Sequence, residues 1–161
     1  MKNTVLTMSL LVVLCITPSL LKAQPKFQAY TNARFGYSID YPSDILIPQE
    51  EAENGDGRHF VSKDGNADLA VWGELSWDDD DSIDKRFKKD ATPSEQKTVT
   101  YKLKNADWYV VSGLMEGSKI YYMKVVHRPS VGAFFTFYFV YPKSQETVYN
   151  PLISRITSSF K

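Results

Sequence analysis

Cysteine is almost missing. The one cysteine among 161 residues is Cys15, so the sequence holds no disulfide framework and no paired-cysteine metal motif. Histidine is nearly as scarce, with His59 and His127 alone, 68 positions apart. A zinc site wants three or four nitrogen or sulfur ligands, and two strand-end histidines do not supply them. Excess charge is lacking too, since 19 basic residues meet 19 acidic ones. That balance lacks the electrostatic footprint of a nucleic-acid-binding protein. There is no glycine-rich phosphate loop, and Ser112-Gly113 is not a nucleophile elbow, because Val110 stands where that motif needs glycine. No apolar run approaches the ~20 residues of a membrane-spanning helix.

The longest apolar run, Val5 to Ile16, is broken by Thr7 and Ser9, follows Lys2 and precedes Leu21-Lys22-Ala23. A positive start, a short apolar core and a small residue at the cut predict a secretory signal peptide over residues 1–23. Cys15 follows Leu14, which is not the small residue that lipid attachment prefers, so it is read as part of the discarded core. Removal of 23 residues from 161 leaves 138 and no cysteine, with 19 basic residues less Lys2 and Lys22, or 17, against 19 acidic. Held only by its core, a chain of this size makes one domain, residues 24–161, bound for the periplasm or the outside.

What is abundant is aromatic. Ala133 to Tyr141 reads Ala-Phe-Phe-Thr-Phe-Tyr-Phe-Val-Tyr. Period two places Phe135, Phe137, Phe139 and Tyr141 on one face and Phe134, Thr136, Tyr138 and Val140 on the other. A strand apolar on both faces belongs in the middle of a sheet covered above and below. Earlier strands are predicted over Phe35–Tyr41, over the short piece Asp44–Ile47 ended by Pro48, and over His59–Ser62 and Ala67–Leu75, the last two joined by a turn containing Asp64-Gly65. Strands over Thr98–Lys104, Trp108–Met115, Lys119–His127 and Ala133–Tyr141 follow with short connections and make an antiparallel meander. Residues 24–34 read as a polar lead-in and Gln49–Arg58 as a loop. Ser82 caps a helix to about Lys89, with acids before it and Lys85, Arg86, Lys88 and Lys89 near its end. A closing helix is predicted from Asn150-Pro151, with Leu152, Ile153, Ile156 and Phe160 as its apolar stripe; Ser144-Gln145-Glu146 is a second, weaker start. The fold class is α+β, with about six strands in an antiparallel sheet.

Three stretches carry a family likeness: Phe35-Gly36-Tyr37-Ser38-Ile39-Asp40-Tyr41-Pro42, Trp108-Tyr109-Val110-Val111-Ser112-Gly113, and Tyr141-Pro142 through Ile156-Thr157-Ser158-Ser159-Phe160. In this order the chain resembles the PsbP-like and Mog1-like superfamily, particularly its small exported bacterial members. The resemblance implies an antiparallel sheet sandwiched between helices and a non-catalytic binding module. No position here matches a functional residue of that superfamily, so no site is carried over.

Three candidate sites arise from the residues themselves. Asp78, Asp79, Asp80, Asp81 and Asp84 form the densest charge and offer carboxylate oxygens to Ca²⁺ or Mn²⁺; the commoner role of such a run is a solvated helix lead-in. Asp64-Gly65-Asn66-Ala67-Asp68 begins like a calcium loop, but Leu69 and Leu75 stand where glycine and glutamate are required, which favours a hairpin turn. Tyr109, Tyr121, Tyr122 and Tyr138 are candidates for an aromatic ligand floor, set against ordinary packing with wet hydroxyls. A carboxylate hydrolase needs two acids converging in one cleft. The expectation is therefore a non-enzymatic protein without cofactor or metal, binding a protein of the cell envelope and no nucleic acid. A small-molecule or glycan binder with an aromatic pocket is the second reading, and a hydrolase the third.

Overall fold

A computed structural model describes residues 24–76 and 81–161. Strands β1 (Phe27–Thr31) and β2 (Ser38–Pro42) form an antiparallel hairpin of their own. The remaining strands are β3 (Leu46–Glu51), β4 (Gly57–Ser62), β5 (Asp68–Leu75), β6 (Tyr101–Lys104), β7 (Trp108–Met115), β8 (Lys119–Arg128) and β9 (Ala133–Pro142). They make one seven-stranded antiparallel sheet in the order β3-β4-β5-β9-β8-β7-β6. The aromatic strand β9 is therefore fourth of seven, as its two apolar faces require.

Two helices cover the sheet, one on each face. Helix α1 (Ile83–Asp90) is capped by Ser82, whose Oγ accepts the Lys85 amide at 3.3 Å. It turns Ile83 and Phe87 inward, and the Phe87 ring meets Tyr109 edge-on at 5.5 Å. Helix α2 (Glu146–Ser159) lies over the other face with the β1–β2 hairpin. There Tyr149 packs edge-on against Phe139 at 5.5 Å, and Phe160, just past the helix, against Phe137 at 5.3 Å. Leu152, Ile156 and Phe160 are buried, as the stripe predicts.

Strands β2 and β6 start three residues later than the sequence reading and β4 two residues earlier, and three further differences are larger. The polar lead-in contains β1, of which only Tyr30 is buried. This strand is held by pairing and by Asn32, fully buried, whose Nδ2 donates to Tyr30, to Glu51 Oε1 and to the Gly55 carbonyl at 3.0–3.1 Å. Strand β3 runs through Pro48, because as the sheet's outermost strand it can spare that donor, and so takes Gln49, Glu50 and Glu51 out of the expected loop. Helix α2 begins at Glu146, preceded by a 3-10 turn over Lys143–Gln145, so Pro151 lies inside it and Asn150 is not its cap. Pro151 deprives the Thr147 carbonyl of its usual donor, but both residues are exposed, where water replaces the bond.

Gly113 shows how tightly the β6 edge is built. A Cβ on it would lie 2.0 Å from the Thr98 carbonyl oxygen, where the chain runs along β7 before β6 begins. That approach is fixed by the Thr98 amide on the Leu114 carbonyl and the Thr100 amide on the Ser112 carbonyl, at 2.8 and 2.9 Å. Gly113→Val should cost about 2–3 kcal/mol by forcing backbone apart. Chemical denaturation checks the loss, and amide exchange should place the damage at residues 98–100.

Candidate functional site

Each helix covers only part of its face. Alternation from Phe139 and Tyr141 across the registers puts Tyr122 and Ile120 of β8, Ser112 and Leu114 of β7, and Tyr101 and Leu103 of β6 on the α2 side. Helix α2 packs chiefly on β2 and β9, leaving the outermost strand, β6, without a helical roof. Tyr101 is 49% and Leu103 47% exposed, high values for large apolar side chains on a strand. Between Tyr101 and α2 lies a groove of about 490 Å³.

The floor of the groove is apolar: Leu114, Ile120 and Tyr122, with Ile153 on the helix wall. The Tyr122 ring is fixed by near-parallel stacking on Phe137, 6.0 Å away with 9° between planes. At one end the polar groups form a chain. Tyr141 donates its hydroxyl to Asn150 Oδ1 at 2.6 Å, and Asn150 Nδ2 donates to Glu146 Oε1 at 2.8 Å. Burial, then the nearby Glu146 charge, pushes the Tyr141 phenol up to about 12. Burial also raises Tyr122, against a smaller opposing contribution from Thr157. Both phenols are therefore neutral hydroxyls at ordinary pH. Lys143 stands at the mouth, and Glu146 is the one carboxylate on the lining, so this groove does not bring two acids together. It offers an apolar trough with a hydrogen-bonding end.

A second cleft of about 440 Å³ lies beside α1. Arg86 lies 3.9 Å over the Phe134 ring and donates to Asp81 through Nε and Nη2 at 2.7 and 2.6 Å, and to Glu74 through Nη1 at 2.5 Å. Burial works against the guanidinium charge, but these hydrogen bonds outweigh it and hold Arg86 above its ordinary range. The same bond holds Asp81 below the usual carboxylate range. Asp90 accepts the Tyr109 hydroxyl at 2.5 Å, and burial, then this contact, pushes that phenol up. The acids of this cleft are engaged by neighbours and tie α1 to the sheet.

The other sequence candidates are dispersed. Tyr109 and Tyr121 are fully buried on the α1 face. Tyr138 stacks on Tyr121 at 5.8 Å, and its hydroxyl donates to Met115 Sδ at 3.5 Å. Tyr122 faces the opposite way, into the groove, so the four tyrosines do not share one floor. Of the acidic run, Asp78, Asp79 and Asp80 lie outside the described residues, Asp81 serves Arg86, and Asp84 pairs with Lys104 at 2.8 Å. No cluster of three potential metal-ligating side chains occurs among the described residues. Asp64 accepts from Ser62 Oγ at 2.6 Å, from the Asn66 amide at 3.1 Å and from Asn66 Nδ2 at 3.0 Å, which makes it the organiser of the β4–β5 turn. Those bonds, Ser62 first, hold its carboxyl well below the usual range. His59 pairs with Asp68 at 2.9 Å, while His127 stacks on Phe134 at 4.3 Å. The sequence reading missed Tyr101, Tyr141, Glu146 and Asn150, because only the strand register and the early start of α2 bring them together.

No family model and no curated protein matches the sequence. Solved structures do match. Cyanobacterial PsbP (CyanoP) from Synechocystis sp. PCC 6803 superposes with a TM-score of 0.58 at 14% identity, covering 86% of this chain and 94% of that one. The Ran-binding protein Mog1p of Saccharomyces cerevisiae superposes with a TM-score of 0.59 at 7% identity, covering 86% and 96%. The class is thus an α+β sandwich of PsbP/Mog1 type, which agrees with the resemblance in the sequence. At these identities the likeness is one of fold. Among the described residues no helix is long and apolar enough to cross a membrane.

Proposed function

We propose that this protein is an exported, non-catalytic binding module that holds a protein of the cell envelope along the groove between α2 and strands β6–β8. One observation carries the reading: an apolar trough reaches Tyr101 on an outer strand, and Leu103, next along the same strand face, is about half exposed as Tyr101 is. Large uncovered apolar patches on folded domains mark interaction surfaces. The fold serves protein binding elsewhere, since Mog1p is a Ran-binding protein. The leader-like residues 1–23 support export.

The concavity of the trough favours a second reading, in which Tyr101 and Tyr122 stack on a small molecule or sugar and Asn150 and Glu146 bond it. One experiment separates the two. A photocrosslinking amino acid placed at position 101 in the native host should capture a discrete protein, and the additional change Leu103→Asp should reduce its yield by about tenfold or more. No captured protein, together with a thermal shift produced by a sugar or metabolite, would transfer the groove to the second reading.

A further inference from the structure

Strand β6 is the last in the sheet, and its side chains divide sharply by face. Tyr101 and Leu103 stand on the groove side, while Lys102 and Lys104 stand on the α1 side, as the Lys104–Asp84 pair confirms. The Asn105 amide donates to the Trp108 carbonyl at 2.8 Å. Alternation in an antiparallel ladder then turns the backbone N–H and C=O of Lys102 and Lys104 outward, away from β7. The edge thus presents hydrogen-bonding backbone in the middle, apolar surface on one side and cations on the other.

These features select the occupant. A second copy pairing antiparallel at this edge would set Lys102 and Lys104 beside their own counterparts, and like charges facing across a ladder repel. A strand with lysines would meet the same obstacle. An incoming strand of alternating apolar and acidic residues meets none, because period two sends its apolar side chains to the groove side and its carboxylates to the lysine side. Asp84 already occupies part of the Lys104 charge, which leaves Lys102 as the main electrostatic anchor; it forms no ion pair among the described residues.

We propose that an extended segment of the partner protein, with apolar and acidic residues alternating, adds to the outer edge of β6 as an eighth strand, its apolar side chains lying over Tyr101 and Leu103 and its carboxylates beside Lys102. This rests on the binding-module reading and names the chemistry of its partner. Main-chain bonds supply the generic grip, and the division of β6 into an apolar and a cationic face supplies selectivity. Such binding weakens with salt, since the lysine contacts are at the surface.

The test uses the purified protein, isotopically labelled, and capped peptides of about seven residues, a typical strand length. One alternates valine with glutamate, the second valine with lysine, and the third repeats the first with alternate backbone amides methylated. The valine–glutamate peptide should bind at least about tenfold tighter than either of the others. It should also slow exchange of the Lys102 and Lys104 amides by about tenfold or more. Lys102→Glu should reverse the preference between the two charged peptides. Equal binding of the methylated or the lysine peptide, or binding without protection of those amides, overturns strand addition while a protein captured from position 101 keeps the binding-module reading. Self-association through the same amides in the free protein also overturns it. A panel of oligosaccharides perturbing the groove where no peptide does, with nothing captured from position 101, overturns both.

Discussion

Replacing Phe137 by alanine should lower stability by about 4 kcal/mol, within the range for losing a buried aromatic ring. Phe137 is fully buried in the central strand β9, where it pairs with Val71 of β5 and Lys124 of β8. On the α2 side its ring takes Phe160 edge-on at 5.3 Å and Tyr122 face-on at 6.0 Å. Removing it opens a cavity bounded by backbone on both flanks, which cannot close in. Domains of this size hold only ~5–15 kcal/mol in total, so a shift of this size is large in a urea titration. Loss of the Tyr122 stacking partner should also loosen the groove floor, visible as faster motion of that ring by NMR. A change under ~1 kcal/mol would mean that β9 is not enclosed as described.

Alkali should unfold the protein cooperatively soon after tyrosines begin to ionise. Burial raises the phenols of Tyr37, Tyr109, Tyr121 and Tyr141 above their ordinary value of 10.0, the last two to about 12. All four are at most 1% exposed. The unfolded chain ionises these groups near 10 and the folded chain does not. Their stabilising effect is complete below that pH and is lost as pH rises from 10 towards the folded values. One unit above the unfolded value costs about 1.4 kcal/mol per phenol, so four cost roughly 5–6 kcal/mol by about pH 11. Burial lowers Lys124, whose amine donates to the Thr157 and Phe160 carbonyls at the end of α2, and its neutralisation acts in the opposite direction. It is one group against four. The phenolate absorbance of the buried rings should therefore rise in one step together with loss of near-ultraviolet dichroism. Gradual titration of the full tyrosine complement near pH 10 with the fold retained would contradict the burial of these rings.

Much of the frame is legible from the residues. The two-faced pattern of Phe134–Tyr141 predicts a central strand, and β9 is central. Ser82 with Ile83 and Phe87 predicts α1 to within a residue. What escapes is whatever depends on partners distant in sequence. Strand β1 has wet side chains and no alternation; pairing with β2 and the buried Asn32 create it. Pro48 reads as a stop but sits where a strand can spare a donor. Pro151 reads as a helix start because proline suits the first turn, yet Glu146 takes that place and Tyr149 joins the core one turn earlier. The groove needs residues 100–101, 112–114, 120–122, 141–146 and 150–153 at once. No local pattern encodes that, although the adjacency of Tyr121 and Tyr122 already requires opposite faces.

Amide hydrogen exchange on the free protein tests the account most directly, since everything functional follows from β9 at the centre of the sheet and β6 at its open margin. Amides of Phe135 to Phe139 should exchange only through global unfolding, and those of Lys102 and Lys104 many times faster. Equal protection at Lys102 and Lys104 would mean that the margin is already covered, and rapid exchange along β9 would remove the sheet on which the groove is built.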